Sequence, residues 1–167
     1  SVRGDSASAD SVRLRALQTR DSVAAARLGL PRAPSRQFAP ADSVMRDRLD
    51  RLGFAVTRFR GDTAVVRAEA GEIDLVGRAM AERGGATVEA DRIRHRQESC
   101  ELLALGSPRL FGQGSPVIGD TVRFDTCRER GVVQSALTTV EEQGANWFVR
   151  GNLAIDSAQT RVYAAGG

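Results

Sequence analysis

The side chains best suited to metal binding or covalent chemistry in this 167-residue chain are Cys100, Cys127 and His95, the only histidine. Zinc usually takes four ligands, often in closely spaced pairs, but the cysteines here are 27 residues apart with no C-x-x-C motif. A general base needs a partner within hydrogen-bonding reach, and the sequence offers none near His95. We therefore predict no metal, no cofactor and no catalytic residue. His95 is interpreted as a wall or core residue, and the cysteines as either a disulfide or two buried thiols.

The remaining motifs and the charge distribution exclude further classes of protein. Phosphate-binding glycine loops, G-x-S-x-G and H-E-x-x-H are absent, so we predict that the protein is not an enzyme. Residues 1–60 carry 12 Arg and 6 acidic residues, whereas residues 61–167 carry 12 Arg and 15 acidic residues. Nucleic-acid binding calls for clustered basic and aromatic residues on one face. Because the larger part is net acidic, we predict no nucleic-acid partner.

The elements that must position these residues fall into three segments. Residues 1–41 form a basic tether rich in Ala, Arg, Asp and Ser, with a Pro-rich boundary at 31–41. Residues 42–53 predict a short amphipathic helix capped by Asp42 or Ser43, whose apolar face is expected to pack against the end of the next segment. From 54 to 167, β-branched residues alternate with polar ones between Gly-containing turns, which predicts strands. No apolar run approaches the roughly 20 residues of a membrane helix, and the terminal segment RVYAAGG (161–167) is interpreted as a truncation.

A repeat of 29 residues organises the β segment. Asp62, Asp91 and Asp120 are spaced by 29 residues within FRGDTAVV (59–66), VEADRIRH (88–95) and VIGDTVRF (117–124). A small residue precedes each Asp, and a second apolar segment, ending at Gly77, Gly106 or Ser135, begins eleven residues after it.

This pattern predicts successive β-hairpins with a bulge near each Asp. Inward-facing positions switch there, as between Ala90 and Ile93, which is the effect of a bulge. Bulges in register would fold the sheet along one line, into a V-shaped antiparallel jelly roll with an apolar interior. The same residues are also compatible with a closed, filled sandwich, and both interpretations stay open.

Three segments resemble a known family. ATVEADRIRH (86–95), GDTVRFDTCRERGVV (119–133) and WFVRGNLAIDSAQTRVYAA (147–165) are similar to the OstA-like periplasmic domains of lipopolysaccharide-transport (Lpt) proteins. The similarity covers roughly residues 54–167, and it is greatest to the N-terminal domain of the outer-membrane lipopolysaccharide-assembly protein. His95 stands where that family usually has an aromatic residue.

The resemblance implies a lipid conduit. Jelly rolls of this family join edge to edge, and lipid A acyl chains lie in their continuous apolar groove. The partners implied are lipopolysaccharide, other Lpt jelly rolls through edge-strand pairing, and the outer membrane through a C-terminal barrel that this sequence lacks. The implied location is periplasmic, with attachment to the outer membrane in the full-length protein.

The groove is expected to be lined by the apolar residues of the predicted strands, and Ile93→Asp is expected to block lipid passage while leaving the fold intact. These lining residues are Phe59, Val66, Leu75, Val88, Ile93, Leu102, Leu110, Val117, Val122, Phe124, Val133, Trp147 and Val149.

A periplasmic location would favour a Cys100–Cys127 disulfide, because both cysteines are predicted near turns of adjacent hairpins. Pairing with cysteines in a missing C-terminal region is the alternative. Two alternatives to the conduit also remain: a scaffolding β-repeat with a closed core and protein partners only, and a nucleic-acid-binding module acting through the Arg-rich arm.

Overall fold

The computed structural model describes residues 29–51, 56–112, 114–156 and 163–165. The chain divides into two compact units, Ser1–Arg32 and Ala33–Gly167. Of the first unit only residues 29–32 are described, so most of the predicted tether lies outside the described residues. All of the helices and strands described belong to the second unit.

In its described residues the second unit is mainly β, as predicted, with one α-helix, α1 (Ser43–Leu49), and a 3₁₀ turn at Ala68–Ala70. Its strands run antiparallel in a single connected sheet. The strands are β1 (Thr57–Arg60), β2 (Thr63–Arg67), β3 (Glu72–Arg83), β4 (Ala86–Arg96), β5 (Glu101–Leu105), β6 (Arg109–Phe111), β7 (Val117–Ile118), β8 (Thr121–Asp125), β9 (Arg130–Glu142), β10 (Ala145–Asp156) and β11 (Tyr163–Ala165).

One line of irregular pairing divides the sheet into two halves. Beyond it, β3 changes partner from β2 to β1, and β4 changes from β5 to β6. We call the part that contains β2, β5 and β8 the first half-sheet, and the part that contains β1, β6 and β7 the second half-sheet. The long strands β3, β4, β9 and β10 run through both, and we call the dividing line the crease.

The three repeated aspartates lie on the crease, and each donates a backbone hydrogen bond to a neighbouring strand. The backbone N–H of Asp62 donates to the carbonyl of Gly77 at 2.8 Å, and that of Asp91 donates to Gly106 at 3.1 Å. The third, Asp120, donates to Gln134 at 2.9 Å. The 29-residue spacing therefore records one backbone arrangement in the first two hairpins, which is shifted by one position in the third, since Asp120 bonds Gln134 rather than Ser135.

The first two repeated aspartates each lie against a glycine of a neighbouring strand. Gly77 and Gly106 have φ values of 78° and 79°, which L side chains rarely adopt. A Cβ on Gly77 would lie 2.9 Å from the Asp62 carboxylate, and one on Gly106 would collide with the Asp91 carboxylate. Ser135 takes the same left-handed conformation at φ 50°. The matched aspartate and glycine positions thus follow from one steric constraint.

The predicted switch in facing occurs, but the extra residue lies on the neighbouring strand. Ala90 and Ile93 are both buried and the intervening Asp91 is exposed. Gly77 and Arg78 on β3 stand opposite the single residue Asp91. The sequence pattern reports only where facing changes, so it does not reveal which strand carries the inserted residue.

Helix α1 begins as predicted but does not pack as predicted. The Asp42 carboxylate accepts the N–H of Met45 at 2.8 Å, which makes Asp42 the N-cap. None of the helical residues is buried, and Leu49 is 44% exposed. The expected packing is therefore wrong within the described residues, because the seven-residue helix spans only two turns. Leu52 and Gly53 lie outside the described residues.

The outer face of the first half-sheet carries ion pairs between neighbouring strands. Asp74 is 5% exposed and accepts both Nε (2.9 Å) and Nη2 of Arg92, while Arg94 approaches it at 3.6 Å. Hydrogen bonding from Arg92 holds the pKa of Asp74 below its usual range. Asp74 is therefore neutralised by cross-strand ion pairs on the face opposite the apolar inner face.

Candidate functional site

The inner face of the first half-sheet is built from two rows of cross-strand neighbours. The deeper row, next to the crease, pairs Leu75 with Ile93, Ile93 with Ala104, Ala104 with Val122, Val122 with Val133 and Val133 with Leu153. All of these residues are buried. The outer row, farther from the crease, contains Ile73, His95, Leu102, Phe124, Gly131 and Ile155.

The second half-sheet presents a matching apolar row. Phe59 pairs with Ala81, Ala81 with Val88, Val88 with Leu110 and Leu110 with Val117. At the next inward position, at the end of the β3–β4 hairpin, Thr57 pairs with Arg83 and Arg83 with Ala86. The row is therefore apolar up to its outer end, where the inward position is occupied by the positively charged Arg83.

The two half-sheets face each other across the interior. The rings of Phe59 and His95 lie 5.4 Å apart, although one belongs to the second half-sheet and the other to the first. Burial lowers the pKa of His95, and the charge of Arg83 lowers it further. His95 is therefore a half-buried, neutral wall residue at pH 7, which agrees with its interpretation from the sequence.

A cavity of about 250 Å³ opens between the half-sheets at the end away from the crease. Most of its lining is apolar and comes from both half-sheets, and its outer rim is polar. The apolar residues are Ala81, Ala86, Val88, Leu102, Leu110, Val122, Phe124 and Ile155, and the polar ones include Thr57, Glu82, Arg83, Thr126, Glu129 and Asp156.

The structure brings eleven of the thirteen residues predicted to line a groove into one cluster. Seven are buried in the core, and the other four are partly buried and pack against it. The seven are Leu75, Val88, Ile93, Leu102, Val117, Val122 and Val133, and the four are Phe59, Leu110, Phe124 and Val149.

The other two predicted residues do not join the cluster. Val66 is 65% exposed and Trp147 is 61% exposed. Each is in register with the inner face. Val66 pairs with the inward-facing Ile73. Trp147 lies two positions from the inward-facing Val149 on the same strand, where it pairs with Val140. Within the described residues, β2 has a neighbour only in β3, and this part of β10 has a neighbour only in β9. Alternation predicts the face of a residue but not its distance from a sheet edge.

Sequence reasoning missed the polar residues of the cavity rim. Arg83 continues the inward-facing positions of β3 that begin with Ala79 and Ala81. A charged residue at a position where alternation predicts an apolar one was the signal that could have identified it. Glu129 and Thr126 lie in the turn between β8 and β9, where alternation has no meaning.

The two cysteines form a disulfide, as expected, with their Cα atoms 5.6 Å apart. It joins the β4–β5 turn to the β8–β9 turn, where both the N–H (2.8 Å) and the hydroxyl (3.1 Å) of Thr126 donate to the Cys100 carbonyl. Since Thr126 and Glu129 belong to the cavity rim, the disulfide fixes one side of the opening.

The described part of the chain holds no cluster of three or more His, Cys, Asp or Glu side chains placed to bind a metal ion. Within the same residues, no helix has the length and apolar character to cross a membrane.

Comparison with known proteins identifies a fold. No protein-family model matches the chain, and no curated protein matches it. Among solved structures, the chain is similar to LptH from Pseudomonas aeruginosa, described as the LptA-homologous periplasmic component of the conserved lipopolysaccharide transport device. The TM-score is 0.51 at 14% identity, over 65% of this chain and 81% of that one. The second unit therefore has an LptA-like fold.

Proposed function

We propose that this chain contributes a periplasmic lipid-carrying domain to lipopolysaccharide transport and outer-membrane assembly. In this proposal the two half-sheets form a V-shaped jelly roll that is open at the end away from the crease. The apolar rows hold lipid A acyl chains, while the sugars and phosphates stay in water. The domain belongs with the N-terminal part of an outer-membrane lipopolysaccharide-assembly protein.

The observation that carries the proposal is the cavity between the half-sheets. It opens beyond Leu102 and Phe124 on one side and Val88 and Leu110 on the other, so an acyl chain entering it would contact apolar side chains on both walls. Burial of each methylene contributes about 0.8 kcal/mol, and six methylenes would therefore contribute about 5 kcal/mol. Such binding has no required register along the chain, which permits sliding.

The fold supports the same function. LptH, whose fold the chain shares, is described as a periplasmic component of a lipopolysaccharide transport device. The incompletely paired edges at β2 and at the first half of β10 are available for strand addition, which we propose joins the domain to neighbouring Lpt jelly rolls. Within the described residues these edges carry exposed apolar side chains, among them Val65, Val66, Trp147 and Phe148.

Neighbouring leucines on β5 give a matched test of the groove. Leu102 is 5% exposed and lines the cavity, whereas Leu103 faces the opposite side of the sheet. A photoreactive leucine analogue at position 102 should form an adduct with purified lipopolysaccharide on irradiation, and the same analogue at position 103 should not. Equal adducts at both positions, or none at 102 in a folded protein, would contradict the proposal.

One observation favours a second candidate, a scaffolding domain with a closed core and protein partners only. Leu75, Ile93, Val122, Val133 and Leu153 are each at most 2% exposed, so the deep part of the interior is filled. The two candidates differ only in whether the outer part admits a chain. The absence of an adduct at position 102 would favour the scaffold.

A further inference from the structure

Arg83 occupies an unusual place, because it is a cation on the inner face of the sheet. It is the last residue of β3 and stands opposite Thr57 on one side and Ala86 on the other. Its side chain is 27% exposed and borders the cavity. The guanidinium therefore lies where the apolar lining ends and water begins.

The hydrogen bonds of this guanidinium are incomplete on one edge. Nη1 donates to the Thr57 hydroxyl at 3.0 Å, which fixes the plane of the group. Nη2 has the Glu129 carboxylate at 3.8 Å, beyond hydrogen-bonding distance. Nε is buried and has no hydrogen-bond partner among the described residues. A buried donor without a partner carries a desolvation cost, so the Nε–Nη2 edge is suited to an acceptor from outside the chain.

That edge has a specific chemical preference. Two parallel N–H groups of a guanidinium match two oxygens of a carboxylate or phosphate, and such paired bonds are stronger and more directional than neutral ones. Because the adjoining wall consists of Val88, Leu102, Leu110 and Phe124, a ligand that satisfies both features has an apolar chain joined to an anionic head.

The other charges on the rim allow this exchange. Glu82 is held by Arg58, whose Nε donates to it at 3.2 Å and whose Nη2 donates to the same oxygen. Glu129 lies near the edge of Arg83 without a hydrogen bond to it, so an arriving anion would replace a weak ion pair with two direct bonds. Asp156 also borders the cavity.

We infer that Arg83 is the head-group site of the cavity: its Nε–Nη2 edge binds the anionic oxygens of an amphiphile whose chain lies between the half-sheets. This inference rests on the proposed function, because it needs the cavity to admit a chain. It adds where the anionic head of that lipid binds, at Arg83 beside the β3–β4 hairpin.

The test compares three probes that share a chain and differ in the head group: dodecyl phosphate, dodecanoate and dodecanol. Their affinities for the full chain are measured by calorimetric titration, below the concentration at which each probe aggregates. Arg83→Gln should weaken the binding of dodecyl phosphate and dodecanoate by roughly 10- to 100-fold, the effect of losing charge-assisted hydrogen bonds. It should change the affinity for dodecanol by less than about twofold. Glu129→Gln should increase the affinity for both anionic probes.

Arg109→Gln is the control, because Arg109 is exposed and lies one residue out of phase with the inward-facing Leu110. It should leave all three affinities unchanged, and inorganic phosphate should not compete with dodecyl phosphate. A greater loss for dodecyl phosphate than for dodecanoate would identify the preferred head group.

The outcomes that overturn the inference differ from those that overturn the proposed function. If all probes bind and Arg83→Gln changes none of them, the groove exists and Arg83 is not its head-group site. If Arg83→Gln weakens dodecanol as much as the anions, Arg83 only shapes the cavity and the inference is wrong. If none of the probes binds the unaltered chain, both the groove and its head-group site are refuted.

Discussion

Phe59 and His95 face each other across the interior, with ring centroids 5.4 Å apart and planes tilted by 39°. Phe59 reaches this position from β1 in the second half-sheet, and His95 reaches it from β4 in the first half-sheet. The contact therefore joins the two walls near the β1 edge. The cavity lies next to it, toward the β3–β4 hairpin, and Thr57 of β1 belongs to its lining.

The burial of His95 makes stability depend on pH. Because burial and Arg83 lower the pKa of His95 in the folded state, the unfolded chain binds a proton more readily. Stability should be unaffected by His95 well above pH 6.5 and should fall as the pH drops below that value. His95→Phe should remove this decline between pH 7.5 and 5.5 in thermal melts. An equal decline in the variant would show that other groups cause it.

The crease should depend on glycine at position 106. Gly106→Ala places a side chain at φ 79° and against the Asp91 carboxylate, so we expect a loss of about 1–3 kcal/mol in the free energy of unfolding. Gly112→Ala is the matched control, since its Cβ would meet no atom within 4 Å. Urea denaturation measures both. A loss at 106 no larger than at 112 would contradict the steric account of the repeat.

The disulfide should stabilise the domain by constraining the unfolded chain. Its cysteines are 27 residues apart, and a loop of that size contributes about 3–4 kcal/mol in the chain-entropy model. The double variant Cys100→Ser with Cys127→Ser should lose that amount in urea denaturation. Dithiothreitol should destabilise the unaltered chain but not the double variant, and an effect on both would point to a cause other than this bond.

The buried carboxylate of Asp74 should contribute to stability in neutral solution and lose that contribution in acid. Its folded-state pKa lies below the ordinary 3.8 because Arg92 donates hydrogen bonds to it. The stabilisation is therefore present above about pH 4 and lost as the pH falls further.

Asp74→Asn should lower the free energy of unfolding at pH 7 by about 1–2 kcal/mol and reduce its fall below pH 4. Asp47→Asn, in an exposed pair with Arg51, should change stability by less than about 0.5 kcal/mol. Equal effects of the two substitutions would mean that burial of Asp74 adds nothing.

The sequence predicted the strand-rich fold and the crease because both produce a periodic pattern of residue types. Alternation places an apolar residue at every second position of a strand, and the steric pairing of Asp91 with Gly106 repeats that of Asp62 with Gly77, 29 residues earlier. Exposure at sheet edges produces no such pattern, which is why Val66 and Trp147 were expected among the lining residues. The cavity rim was missed for a related reason. Glu129 comes from a turn, where alternation does not apply, and Arg83 is held in place by Thr57, which is 26 residues away in sequence.

The sequence also does not show how deep in the interior each inward-facing residue lies. The alternation favours Ile93 as the position to test lipid passage, but Ile93 is fully buried in the row beside the crease. An aspartate there would leave a charge in the filled part of the core, which is costly to desolvate. Leu102 lies one row nearer the opening, and it is therefore the better position for a probe.

The central claim is that the outer part of the interior admits an acyl chain while the outer face does not. The most direct test is methyl NMR of the chain with ¹³C-labelled leucine, titrated with lipid A. Methyl signals of Leu102 and Leu110, which line the cavity, should shift and saturate together, while those of Leu103 and Leu105 on the other face of β5 should stay in place. Shifts at Leu103 and Leu105 alone, or no shift at Leu102 at saturating lipid, would contradict the account.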